Sequence, residues 1–264
     1  MTKTNNHSTL KTENLSIGYV AKKQKKVIAT GISFELQKGQ LVGLVGENGI
    51  GKSTLLRTLT KVQKPLQGDV YINEKNINAL TQLELAKTLS LVLTEPVASK
   101  NLSVWELVAL GRQPYTNWVG ALTPEDIKHI EKAMELTDIK DLKNKKCYEL
   151  SDGQLQKVMI ARALAQDTDI IILDEPTSHL DLHHKAYILK LLQKLAVNTQ
   201  KTVLFSSHEI DLAIQLCDKL LVMTPESVII DTPSELIAKG VFNRLFPENL
   251  IEFDGKTHRF KIKN

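Results

Sequence analysis

Cysteine is scarce: Cys147 and Cys217 are the two in 264 residues, with no C-x-x-C spacing. They cannot build a disulfide framework and read as reduced thiols of a cytosolic protein. A large excess of one sign of charge is also missing. Thirty-four Lys and Arg face 30 Asp and Glu, a net +4 that gives no nucleic-acid footprint. Long apolar runs are missing, and none approaches the ~18–20 residues that span a bilayer. The first thirteen residues are polar and lack the apolar core of a signal peptide. Repeats, low-complexity linkers and sustained heptads are missing too, which excludes solenoid and coiled-coil architectures. The expectation is a cytoplasmic chain, with 42% hydrophobic residues to build a sizeable core.

The most informative stretch is Gly46-Glu47-Asn48-Gly49-Ile50-Gly51-Lys52-Ser53-Thr54. It fits G-x-x-x-x-G-K-[ST] and sits between the apolar run Leu41–Val45, a buried strand, and a helix over Thr54–Thr60. Phosphates need N–H donors at close range. The three glycines permit backbone angles that turn successive N–H groups inward, and the following helix adds its positive end. Lys52 brings a point charge to the β- and γ-phosphates, and the Ser53 hydroxyl is placed to ligate Mg²⁺.

A second stretch, Asp169-Ile170-Ile171-Ile172-Leu173-Asp174-Glu175, reads as a strand of a mostly parallel sheet, with two carboxylates where such sheets bind ligands. Asp174 suits Mg²⁺; Glu175 suits orienting an attacking water or taking its proton. Thr202–Ser207 repeats the layout and ends at His208, a sensor of the γ-phosphate or a positioner of water beside Asp174. Tyr19 has two readings that the residues leave open: packing at a strand end, or a ring stacked on a purine.

Around these stretches lie weaker elements. Leu15–Tyr19 and Ile32–Leu36 read as short strands flanking a basic hairpin tip at 22–26. Asp69–Asn73, Leu89–Leu93 and Leu220–Met223 read as further strands, and Leu83–Lys87 as a short helix. From 94 to about 167 the pattern is helical, over Val104–Leu110, Pro124–Leu136 and Gly153–Ala165, and this insert holds Trp105 and Trp118. The tail has a helix near Ser234–Ala238, a strand at Arg259–Ile262, and no chemistry.

Leu150-Ser151-Asp152-Gly153-Gln154, followed by Ala161-Arg162-Ala163-Leu164-Ala165, resembles the LSGGQ signature of ABC ATPases, with Asp152 for the first glycine. Read from the residues alone it is a capped helix start, which is itself an anion site. The resemblance covers about 8–250, with a helical subdomain at about 95–167 and a short extension at 251–264. It implies an α/β P-loop ABC ATPase: a mostly parallel core sheet, an N-terminal antiparallel β subdomain and an inserted helical subdomain. By it, Tyr19 stacks on adenine, Gly46 to Thr54 is Walker A, and Asp174 and Glu175 are the Walker B aspartate and catalytic glutamate. Ser178-His179-Leu180-Asp181 is the D-loop and His208 the switch histidine. It further implies ATP and Mg²⁺ at the site, with a second copy contributing Ser151, Gly153 and Gln154 to a head-to-tail dimer. A transmembrane permease and, through it, a substrate-binding protein are the implied partners, on the cytoplasmic face of the membrane. One position departs: Thr94-Glu95-Pro96 stands where the family has a glutamine.

Within that family, Thr177-Ser178-His179-Leu180-Asp181 and Leu110-Gly111-Arg112 with Pro114-Tyr115 resemble importers of ferric siderophores, heme or cobalamin, iron complexes first. Trp105, Tyr115 and Trp118 are candidate permease contacts, with core packing the equal alternative. Ribosome- or DNA-associated ABC ATPases usually carry two cassettes or a coiled coil, whereas this chain has one Walker A; an exporter ATPase is the remaining alternative.

Overall fold

The computed structural model describes residues 8–21, 24–93, 100–246, 251–255 and 257–263. In chain order the chain forms β1 (Ser8–Ala21), β2 (Gln24–Gln37), β3 (Leu41–Gly46), α1 (Lys52–Leu59), β4 (Gln67–Ile72), β5 (Lys75–Asn76), α2 (Gln82–Thr88) and β6 (Leu89–Val92). An inserted run follows with α3 (Val104–Ala109), α4 (Pro124–Leu136) and α5 (Asp152–Ala165), before β7 (Ile170–Leu173), α6 (Leu182–Thr199), β8 (Thr202–Ser207), α7 (Ile210–Leu216) and β9 (Lys219–Met223). The chain then adds β10 (Val228–Asp231), α8 (Pro233–Ala238) and the small hairpin β11 (Ile251–Asp254) and β12 (Arg259–Ile262).

The central sheet runs β10-β9-β3-β8-β7-β6; its five inner and far-edge strands are mutually parallel, and β10 pairs antiparallel on β9. Every residue of β3, β7 and β8 is buried, as expected of strands covered on both faces. Alternation sorts them. Leu41, Val45, Ile171, Leu173, Val203 and Phe205 face the helices α3 to α7, whereas Val42, Leu44, Ile170, Ile172 and Leu204 face α1 and the second sheet. That second sheet, order β2-β1-β4-β5, is antiparallel and lends Leu10, Leu15, Ile17 and Ile32 to the shared core. The N-terminal strand is longer than its apolar pattern announces, because Asn14 takes a left-handed φ of 46° at a break in register that interrupts the alternation.

The helices of the insert start on readable signals. Ser103 with Glu106, Thr123 with Asp126 and Ser151 with Gln154 each close a reciprocal capping box. The 18-residue α6, capped by Asp181, is the largest element that the sequence pattern left unassigned. Among the described residues, no helix is long and apolar enough to cross a membrane.

Candidate active site

Three strands end side by side at one edge of the central sheet, and the site is built on those ends. β3 runs into the glycine loop, β7 into Asp174 and Glu175, and β8 into His208; β8 lies between the other two. Gly49 and Gly51 have φ of 77° and 116°, left-handed values that favour glycine and let the loop curl onto the start of α1. A cleft of about 580 Å³ opens over it. Its walls include Tyr19, Lys26, Asn48, Gly49, Gly51, Lys52, Ser53, Thr54, Glu175 and His208.

Lys52 is 4% exposed. Its ammonium donates to the carbonyls of Gly46 and Glu47, both at 2.9 Å, and lies 3.4 Å from His208 Nδ1. Burial pushes the ammonium below its usual pKa, against the opposite pull of the Glu175 and Asp174 carboxylates. The loop thus places a desolvated cation in the cleft wall at the start of α1, where the positive end of the helix also favours an anion.

Asp174 sits one residue beyond β7 and is buried. Its Oδ1 accepts from Ser53 Oγ at 3.2 Å and from Ser206 Oγ at 2.7 Å. Ser53 and Asp174 together offer the hard oxygen donors that Mg²⁺ takes, so the residues present fit that ion. Glu175 has a left-handed φ of 47°, an uncommon conformation for a residue with a side chain. Its Oε1 lies 2.6 Å from His208 Nε2, and its backbone N–H donates to Ser206 Oγ at 2.8 Å. Tyr19 presents its ring to the cleft, tethered through its hydroxyl to Thr54 Oγ1 at 2.6 Å.

The signature and D-loop residues gather elsewhere. Ser151 caps α5 and receives the Gln154 N–H at 3.3 Å. Gly153 packs so closely on the His184 ring that a Cβ there would come within 2.9 Å of it. His184 in turn meets Asp181 Oδ1 through both its backbone N–H and its Nδ1, at 2.8 Å, which holds the Asp181 carboxyl below its ordinary pKa. None of Ser151, Gly153, Gln154 and Asp181 lines the phosphate-loop cleft. Gly46, Glu47 and Ile50 are not among the cleft-wall residues: the Gly46 and Glu47 carbonyls accept from Lys52, and Ile50 packs against the core.

Two cleft residues, and the buried Ser206 behind the strand-end carboxylates, escaped the sequence motifs. Lys26 belongs to the basic hairpin read as a solvated tip, and it is exposed, yet it also borders the cleft with Ile28. Ser206 was visible only as the polar end of a buried strand. Thr94, Glu95 and Pro96, at the departure from the family pattern, lie outside the described residues. Of the candidate partner contacts, Trp105 packs against the main core and Tyr115 lies between Lys87 and Arg112, while Trp118 is 97% exposed.

Comparison with known proteins agrees with this geometry. The ABC transporter family model matches residues 29–178. An uncharacterized ABC transporter ATP-binding protein of Methanocaldococcus jannaschii is 40% identical, over 97% of this chain and 87% of that protein. The iron(3+)-hydroxamate import ATP-binding protein FhuC of Bacillus subtilis is 35% identical, over 90% of this chain and 88% of that protein. An ATP-binding cassette solved as a dimer in a post-hydrolysis state, with ADP and Pi bound, superposes with a TM-score of 0.72 at 28% identity, covering 85% of this chain and 98% of that one. A glycine loop over a desolvated lysine, flanked by two strand-end carboxylates on the fold of a known cassette, leaves one assignment: the chain belongs to the ABC transporter family, as an ATP-binding and ATP-hydrolysing cassette.

Proposed function

We propose that this cassette is the motor subunit of an importer for ferric siderophores, working as a head-to-tail pair on the cytoplasmic face of a permease. The observation that carries the hydrolytic part is the convergence of Lys52, Ser53, Glu175 and His208 on one cleft, with the buried Asp174 bonded to Ser53. Lys52 and the loop N–H groups bind the β- and γ-phosphates; Glu175, steered by His208, orients the water and takes its proton. Mg²⁺ held by Ser53 and Asp174 would neutralise charge on the phosphates when bound. The pairing is supported by the separation of Ser151, Gly153 and Gln154 from the cleft of their own chain, which leaves the anion-binding start of α5 for a second copy's nucleotide. A dimeric relative with ADP and Pi bound is in keeping with it. The cargo rests on relatives named for iron(3+)-hydroxamate, petrobactin and achromobactin transport.

The test is uptake. A strain lacking this chain should fail to take up radiolabelled ferric hydroxamate and recover with the wild type. Glu175→Gln should lower ATP turnover by about 10²–10⁴-fold, the range of a general base, and should not rescue uptake. Rescue of heme or cobalamin uptake alone would replace the cargo and keep the motor. Normal turnover by Glu175→Gln would remove that residue from its role.

A further inference from the structure

We infer that Ser206 is the positioning residue for both strand-end carboxylates, one hydroxyl that sets Asp174 for the metal and Glu175 for the water. The inference rests on the hydrolytic reading above.

Ser206 is fully buried as the penultimate residue of β8; the strand's other hydroxyls are engaged elsewhere, Thr202 at the far end with Thr9 and the Gln37 carbonyl and Ser207 with the Glu209 N–H. A buried hydroxyl without partners costs free energy, so what it bonds to is informative. The parallel register pairs Leu173 with Phe205, which brings Ser206 alongside Asp174. Its hydroxyl donates to Asp174 Oδ1 at 2.7 Å and accepts the Glu175 N–H at 2.8 Å. The donor capacity goes to one residue and a lone pair to the next, so a single side chain addresses both.

Each bond constrains a different thing. The bond to Oδ1 fixes the rotation of the Asp174 carboxylate, which also accepts from Ser53 on the loop. The bond from the Glu175 N–H pins the peptide at a φ of 47°, a strained value that persists only where the surroundings over-determine it. That peptide decides where the Glu175 side chain leaves the strand, and so whether Oε1 reaches His208 Nε2 at 2.6 Å. His208 itself follows Ser206 by two residues. The end of β8 therefore supports Glu175 from both sides, through its peptide by Ser206 and through its carboxylate by His208. Partners of this outer kind are worth about 10–100-fold in metal affinity or activity when removed.

The test uses the full-length chain. Ser206→Ala removes one oxygen and should fold, which its thermal melt checks. ADP affinity is measured by calorimetry with Mg²⁺ and with EDTA, alongside steady-state ATP turnover. Ser206→Ala should lose about tenfold of the affinity that Mg²⁺ adds, keep its EDTA affinity, and drop in kcat by about 10–100-fold. Ser206→Thr, which keeps the hydroxyl, should regain most of both. Ser90→Ala removes another buried strand hydroxyl, one that meets Thr168 and the Ile170 carbonyl, and should leave the Mg²⁺ gain unchanged. A wild type that turns over ATP, paired with a Ser206→Ala variant of unchanged kcat and Mg²⁺ gain, overturns the inference and leaves the motor reading standing. Equal loss of EDTA and Mg²⁺ affinity overturns it as well, since general loosening would suffice. A wild type with neither turnover nor Mg²⁺ gain overturns both.

Discussion

Two charged side chains of this protein are equally buried and do opposite things. Lys52 and Arg112 are each 4% exposed. Arg112 has a full countercharge: its Nε donates to Asp126 Oδ1 at 2.8 Å, its Nη1 donates to the Ala165 carbonyl at 2.8 Å, and Tyr115 lies under its guanidinium at 3.9 Å. Asp126 also takes the N–H and hydroxyl of Thr123, at 2.9 and 2.7 Å. Lys52 bonds two carbonyls and faces an imidazole, and none of these supplies the full countercharge of a carboxylate. A buried charge neutralised by a carboxylate ties α4 to the end of α5; one bonded only to neutral acceptors leaves its charge available, which suits the anionic ligand proposed for the cleft. The difference is a matter of partners, and neither burial nor residue type reveals it.

The largest effect that would break this contrast lies at the tie. Arg112→Ala strands the Asp126 carboxylate in the interior, and removing one partner of a buried pair costs about 3–5 kcal/mol. Urea unfolding should report that loss, with ADP affinity preserved in the fraction that folds. A stability change under about 1 kcal/mol would mean that Asp126 finds water and that the two sites are less different than their geometry.

At Lys52 the opposite signature is expected. Lys52→Met should cut ATP turnover by about 10²–10³-fold, the range for losing one preorganised charge donor. Its stability should hold or rise, because the ammonium is held in a site that burial disfavours. A variant that unfolds instead would make Lys52 a structural residue like Arg112.

A smaller effect sharpens the tie through pH. The Thr123 hydroxyl and N–H, together with Arg112, hold the Asp126 carboxyl at about 2, below its ordinary 3.8. A depressed carboxylate pKa contributes stability above the unfolded value and loses it as pH falls through the folded one. The melting temperature should therefore drop between pH 3.8 and about 2, and Asp126→Asn should flatten that segment while lowering stability at neutral pH. An unchanged acid limb in Asp126→Asn would show that other carboxylates govern it.

How far the sequence speaks differs between these sites for a physical reason. The strands β3, β7 and β8 are buried on both faces, so they read as continuous apolar runs, and the glycine loop is a local motif whose flanks confirm it. The α6 helix was harder, because Leu182, Tyr187 and Val197 are apolar and yet exposed, which blurs the stripe of Ile188, Leu189, Leu192 and Leu195. Ser206 was out of reach, since its meaning lies in the register of two strands some 30 residues apart in sequence. The Arg112 tie joins Leu110–Tyr115 to the first turn of α4 and the last of α5, and no local spacing encodes it.

The smallest expected effect on the isolated chain falls at Trp118, and it separates the partner surface from both buried sites. Its indole is 97% exposed beside Val119 at 66%, in a stretch from Gln113 to Thr123 that holds no charged residue. Trp105, half-buried against the core, is the internal control. Trp118→Ala should shift stability by less than about 0.5 kcal/mol, as surface substitutions do, and leave basal ATP turnover unchanged. If this loop docks on the permease, truncating a central Trp costs about 2 kcal/mol or more of binding, about 30-fold in affinity. Capture of the permease from detergent-solubilised membranes should then fall steeply for Trp118→Ala at full stability. Trp105→Ala should instead lose stability first. Undiminished capture by Trp118→Ala would move the docking surface to another part of the insert, and a lowered melt would make this indole a packing residue after all.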